Sequence, residues 1–104
     1  MNKETIIMRK IMVALCEHGC FVLRTNSGVF YDSNGGRVRV GFPGLSDLVG
    51  CTSEGRFFAI EVKLPGEKPR DDQEKFLKAM SKTGAITGVA HSVEEALEII
   101  KLDL

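Results

Sequence analysis

Apolar residues recur every three to four positions over residues 2–18, where Ile7, Met8, Ile11, Ala14 and Leu15 define one face of a helix that Gly19 ends. Residues 20–24 are short, apolar and β-prone and predict a strand. Residues 25–36 are polar and glycine-rich and read as a loop, with Asn34-Gly35-Gly36 a turn signal. Val38 and Val40 alternate with Arg37 and Arg39, as in a short or edge strand. After a loop at 41–46, residues 47–52 and 56–63 predict two strands of a hairpin, closed by Ser53-Glu54-Gly55 with Gly55 in the left-handed position. Residues 64–69 read as a loop in which Pro69 opens a helix over 70–82, with Phe76, Leu77 and Met80 on one face and Gly84 as its stop. A strand at 85–90 follows. Ser92 and Glu95 then form a capping-box pattern that starts a last helix, 93 to about 101. This order predicts an α/β fold, a central mixed sheet flanked by helices. There is no repeat or linker, and 104 residues suffice for one domain over 1–104 and not for two.

The hairpin carries residues that a core would not select. With Glu54 as the turn centre, Asp47 and Glu61 fall directly opposite each other and point to the same side of the sheet, with Cβ atoms about 4.5–5.5 Å apart. Lys63, two residues beyond Glu61, emerges on that side too. Two facing carboxylates destabilise a sheet unless something neutralises them. A hard divalent cation such as Mg²⁺, which takes oxygen ligands and keeps several waters, accounts for the arrangement. On spacing alone, a partly exposed strand with a Glu–Lys pair accounts for it equally well. Two helical residues shift the balance. Glu4 lies three, four and seven positions before Ile7, Met8 and Ile11, on the apolar face of the first helix, whereas Glu17 lies off it. Gln73 bears the same relation to Phe76, Leu77 and Met80. Inward polar groups at two helix N-termini are costly unless they meet polar partners.

Composition narrows the classes. Hydrophobic residues make up 43% and charged residues 27%, a globular mix with no apolar run long enough to cross a membrane and no signal-peptide pattern at the N-terminus. Three cysteines, Cys16, Cys20 and Cys51, do not make a disulfide framework and suit a reducing, cytoplasmic setting. Cys16 and Cys20 with His18 make a poor zinc site, and buried thiols are the expectation. The net charge of zero is a mild argument against nucleic-acid binding, but charge placement outweighs its sum.

Asp47 followed by Ile60-Glu61-Val62-Lys63 resembles the catalytic pattern of the PD-(D/E)XK nucleases, and the surrounding residues resemble their VRR-NUC branch. The likeness runs through Glu4, Arg24-Thr25-Asn26-Ser27-Gly28, residues 41–50, Gln73 and Gly88-Val89-Ala90-His91-Ser92. Ser46 precedes Asp47 where the superfamily's name has proline, which is not a metal ligand, and His91 stands where the branch's name leads one to expect arginine, a departure that bears on a cationic contact there and not on the metal site. The resemblance implies a restriction-endonuclease-like core of the stand-alone phage or bacterial type. It implies Mg²⁺- or Mn²⁺-dependent hydrolysis of phosphodiester bonds in DNA, without a small-molecule cofactor. Asp47, Glu61 and the Val62 carbonyl would hold the metal, Lys63 would orient the attacking water, Glu4 would reach the metal through water or join a second ion, and Gln73 would steady the shell. Arg24, Asn26, Ser27, Arg37 and Arg39 are candidate contacts to the DNA backbone, and Tyr31 a weaker one. Members of this size resemble Holliday-junction resolvases and are expected to act as homodimers on branched DNA. The alternatives are a non-catalytic nuclease-like binding or interaction subunit, and a nuclease acting on flaps, single strands or RNA.

Overall fold

The computed structural model describes residues 1–102. In chain order the elements are α1 (Lys3–Glu17), β1 (Phe21–Arg24), β2 (Gly28–Tyr31), β3 (Arg37–Val40), β4 (Leu48–Cys51), β5 (Phe57–Val62), α2 (Asp71–Lys82), β6 (Ile86–Ala90) and α3 (Val93–Leu102). Strands β1, β4, β5 and β6 form one sheet in the order β1-β4-β5-β6. It is mixed: β1–β4 and β4–β5 are antiparallel, while β5–β6 is parallel and connected through α2. The expected α/β architecture, a mixed sheet flanked by helices, is the one observed.

The two faces of this sheet are covered differently. Leu48, Phe58, Ile60, Val62, Ile86 and Ala90 point to one face and are fully buried with Met8, Ile11 and Leu15 of α1 and Ala96 and Ile100 of α3. Burying an aliphatic or Phe side chain of this size contributes about 1.5–3 kcal/mol, so this layer supplies most of the cohesion. Gly88 shares that face because α3 comes so close: a Cβ there would lie 2.5 Å from Ile99 Cδ1. On the other face α2 packs against β5 and β6, burying Leu77 and Gln73. Glu61 points to that second face, at the end of β5.

Local signals explain most element ends. Asn2 caps α1, its Oδ1 accepting the Thr5 N–H at 2.8 Å. Gly55, at φ +80°, closes the β4–β5 turn as expected. Three expectations need correcting. Residues 25–36 are not all loop: Gly28–Tyr31 forms β2, which pairs with β3, the short strand expected at 37–40, in a ribbon separate from the main sheet. The turn signal at 34–36 had closed a hairpin rather than a loop, and Val29, Phe30 and Tyr31 are strand formers whose short run is outweighed by polar flanks. Helix α2 starts at Asp71, not at Pro69, with Arg70 as its N-cap. The capping box at Ser92 is only half formed. Ser92 Oγ accepts the Glu95 N–H at 3.1 Å, but the Glu95 carboxylate turns to His91.

Candidate functional site

The last pair of the β4–β5 ladder is Leu48↔Ile60, so Asp47 and Glu61 are the next opposed positions, in the register set by a turn centred on Glu54. Asp47 leaves the ladder. On the β5 side, instead of main-chain pairing, its Oδ2 accepts the Val62 N–H at 2.9 Å. The Lys63 N–H donates to the Ala90 carbonyl at 3.1 Å. In a parallel ladder that turns the N–H and C=O of Val62 the other way, towards Asp47, so the Val62 carbonyl opens beside the two carboxyls.

Asp47 is fixed from behind. Its carbonyl accepts the Thr25 N–H at 2.9 Å, and Thr25 Oγ1 donates to the Ser46 carbonyl at 2.8 Å. Ser46 is fully buried and its hydroxyl donates to the Leu48 carbonyl. The 41–46 loop is pressed on the start of α2. Gly44, at φ +90°, lies where a Cβ would come 2.3 Å from the Asp72 carbonyl oxygen, so no other residue fits. Phe42 packs on Phe76, with ring centroids 5.4 Å apart.

Glu61 is 1% exposed, and among the described residues its Oε2 has no hydrogen-bond partner. Burial pushes its pKa up to about 9, with the neighbouring Asp47 carboxyl adding to the shift; Lys63 and Arg70 pull the other way. As an acid, Glu61 can share a hydrogen bond with Asp47. As an anion, it leaves Oε2 with no donor, which is costly in a buried site. Glu4, half-buried at the start of α1, also has a raised pKa, through burial first and then Asp47, with Lys63 lowering it and Glu67 raising it again. Helical phase thus brings Glu4 within electrostatic reach of Asp47 and Lys63, from the α1 layer. Glu17 is exposed at the other end of α1.

Of the residues singled out in the sequence, Asp47, Glu61, Val62 and Lys63 converge, and Glu4 joins them electrostatically. Gln73 is buried beneath α2, but its Oε1 accepts the Arg70 N–H at 2.8 Å, which makes it a helix cap. Arg24, Asn26 and Ser27 lie between β1 and the ribbon. Asn26 takes the left-handed conformation, φ 51°, at the ribbon's root. Arg37, Arg39 and Tyr31 lie on one face of the ribbon, and Phe30, Val38 and Val40 on the other. Arg70 and Glu67 were not anticipated. No spacing signal marks them, because they act through the tertiary position of the loop that joins β5 to α2.

The donor set fits a divalent cation incompletely preformed. Two opposed carboxyls, a buried oxygen without a donor and an open main-chain carbonyl suit an oxygen-seeking ion with waters in its remaining positions. Among the described residues, no three His, Cys, Asp or Glu side chains are close enough to hold a metal unaided. The cysteines are free, and the expectation of buried thiols fails for Cys16: Cys20 is buried and Cys51 half-buried, while Cys16 is exposed on the outer side of α1.

A mixed sheet whose central hairpin ends in facing carboxyls and a lysine places the protein among the nuclease-type α/β proteins. The family model for the VRR-NUC domain matches residues 34–94, more than half of the chain, and the chain belongs to that family. A solved structure of a VRR-NUC domain superimposes with a TM-score of 0.72 over 97% of each chain at 20% identity, a likeness of fold. No curated protein matches. The matched segment holds Asp47, Glu61, Lys63 and Gln73; Glu4 and the Arg24–Ser27 stretch lie outside it. Among the described residues, no helix is long and apolar enough to cross a membrane.

Proposed function

We propose that the protein is a Mg²⁺- or Mn²⁺-dependent endodeoxyribonuclease that acts as a homodimer on branched DNA in the manner of a Holliday-junction resolvase. The observation that carries this reading is the buried Glu61, with an oxygen lacking any donor, opposite Asp47. Ionised beside Asp47, Glu61 costs the fold stability, and a cation would reverse that cost.

Asp47 and Glu61 would hold the metal with the Val62 carbonyl, and Glu4 would reach it through water or join a second ion. When bound, the metal lowers the pKa of a water molecule and offsets charge that develops on the phosphate. Lys63, on the side of Glu61, orients the attacking water and supplies positive charge to the scissile phosphate. Gln73 steadies the start of α2 against this centre through its bond to the Arg70 N–H. Arg37, Arg39 and Tyr31 give the ribbon a basic, aromatic face, and Arg24, Asn26 and Ser27 lie at its root, so a neutral chain gathers cations on one face that could meet a phosphate backbone. Two such surfaces related by a two-fold axis match the two-fold symmetry of a four-way junction.

The test is incubation with labelled four-way junction, flap, duplex and single-stranded DNA in Mg²⁺, Mn²⁺ or EDTA, alongside sedimentation at micromolar concentration. Paired symmetric nicks on the junction, a metal requirement and a dimer are expected. Cleavage that survives EDTA would remove the metal mechanism. Preference for flaps or single strands would change the substrate class, and binding without cleavage in any metal would make the protein a nuclease-like binding subunit.

A further inference from the structure

His91 follows β6 and precedes α3, and its ring stands between two atoms that can only accept hydrogen bonds. Nε2 lies 2.9 Å from the Glu67 main-chain carbonyl, and Nδ1 lies 2.7 Å from Glu95 Oε1. A neutral imidazole carries one N–H and would turn a lone pair on one of these acceptors; only the imidazolium donates to both. The carboxylate cannot readily swing aside, because the same Oε1 accepts the His91 main-chain N–H at 2.8 Å. Glu95 itself is anchored by its N–H to Ser92 Oγ.

We propose that His91 is a positioning residue for the acidic centre: as an imidazolium it ties the loop between Lys63 and Arg70 to the start of α3. That loop matters because of its ends. Lys63 and Arg70 are the two cations that pull on the buried Glu61, and Glu67, within the loop, acts on Glu4. Two consecutive residues at the end of β6 hold the loop: Ala90 accepts the Lys63 N–H, and His91 donates to the Glu67 carbonyl. Losing the second tether frees the middle of the loop and loosens the placement of both cations. The inference deepens the metal-centre reading and rests on it for its consequence, but not for the tether itself.

The surrounding charges agree. Glu67 faces His91 from the loop, Glu94 and Glu95 from α3, and Lys10 from α1, which borders the same cavity together with Ile7. The bond to the Glu67 carbonyl raises the His91 pKa, and Glu95 raises it further. The bonds from His91 lower the Glu95 pKa. Both groups are therefore charged in the window between the lowered Glu95 value and the raised His91 value. The tether is complete below the ordinary histidine pKa of about 6.5 and is lost as pH rises through the higher, folded value.

The experiment uses the full chain without metal, then with Mn²⁺ alone. Nitrogen-15 NMR of the histidine ring should find both His91 nitrogens protonated at pH 6.5 and a titration above the ordinary value. Amide exchange over residues 64–70, corrected for its intrinsic pH dependence, should quicken several-fold as His91 loses its proton. His91→Gln should show the quickened exchange at every pH and bind Mn²⁺ several-fold more weakly by calorimetry. His91→Arg, which keeps a cation, should suppress the pH dependence. A His91 that titrates at or below the ordinary value, or a His91→Gln protein with unchanged loop exchange, would overturn the tether. Unchanged Mn²⁺ affinity with quickened exchange would overturn the positioning role. If no DNA is cleaved under any condition, the nuclease reading fails while the ring and exchange measurements still decide the tether.

Discussion

The two ends of the β4–β5 hairpin are made from the same two strands and are opposites in chemistry. At the closed end every demand is met. The Thr52 N–H donates to the Arg56 carbonyl, Thr52 Oγ1 accepts from the Glu54 and Arg56 N–H groups, and Gly55 takes the left-handed position. Glu54 sits there in water and costs nothing. At the open end, four pairs away, Asp47 leaves the β5 ladder and Glu61 is buried with an oxygen to which none of the described residues donates. A chain that resolves one end so completely and leaves the other unresolved points to something outside the chain as the missing partner of the second. Polar groups that a fold buries at a cost are where its function is to be sought.

The largest effect expected from this contrast is on catalysis. Asp47→Asn, Glu61→Gln and Lys63→Ala should each lower cleavage by about three orders of magnitude, or ~4 kcal/mol of barrier, while far-ultraviolet circular dichroism stays native. Glu54→Gln, at the closed end of the same strands, should leave the rate within about twofold. A variant of the open end that cuts at close to the wild-type rate would remove that residue from the mechanism, and a damaging Glu54→Gln would erase the contrast.

The next effect is on stability and has the opposite sign. The Glu61 pKa is raised to about 9 from its ordinary 4.5. Its contribution is therefore fully present below the unfolded value and is lost as pH rises through the folded one. Without metal, wild-type stability should fall between about pH 5 and pH 9. Glu61→Gln should flatten that fall and melt higher at pH 8 by about 5 °C, with little gain at pH 4.5. Adding Mn²⁺ should raise the wild-type melting temperature and not that of the variant. Thermal scans at the two pH values check all three statements, and a wild type that melts alike at both would mean that Glu61 carries no such strain.

This contrast was legible in the sequence because a hairpin with a short, glycine-closed turn fixes its own register: counting outward from Glu54 pairs Asp47 with Glu61. Glu4 was legible for a similar reason, since helical phase alone separates it from Glu17. What escaped is whatever depends on contacts between distant segments. The β2 strand was hidden because Val29, Phe30 and Tyr31 are too few to announce a strand between glycines and polar residues. Arg70 read as one more helical residue, and its influence on Glu61 comes from where α2 begins relative to β5. His91 had no visible partner because one of its acceptors is a main-chain carbonyl 24 positions away. Gln73 was read as turned inward, which it is, but its capping bond to the Arg70 N–H lies in backbone geometry that spacing does not reveal.

The smallest effect separates the two glutamates of α1. Glu4, at the first turn, is half-buried within reach of Asp47, Lys63 and Glu67; Glu17, at the last, is exposed. Glu4 comes from the α1 layer, behind the sheet face that carries Glu61, so it bears on the centre at longer range than Asp47 does. Losses at such supporting positions run about tenfold, and Glu4→Gln should lower the cleavage rate by about that much, with a larger half-saturating Mn²⁺ concentration. Glu17→Gln should stay within about twofold of wild type. The stability signs also differ. Burial and the negative charges of Asp47 and Glu67 raise the Glu4 pKa, so ionised Glu4 opposes folding above its ordinary value. Glu4→Gln should then melt slightly higher than wild type at pH 8 without metal, while cutting more slowly with it. That pairing, more stable yet less active, is not expected of a residue that merely packs, which would lose both together. Equal rates for the two variants, or a Glu4→Gln protein that loses stability along with activity, would take Glu4 out of the centre and leave Asp47, Glu61 and Lys63 to act without it.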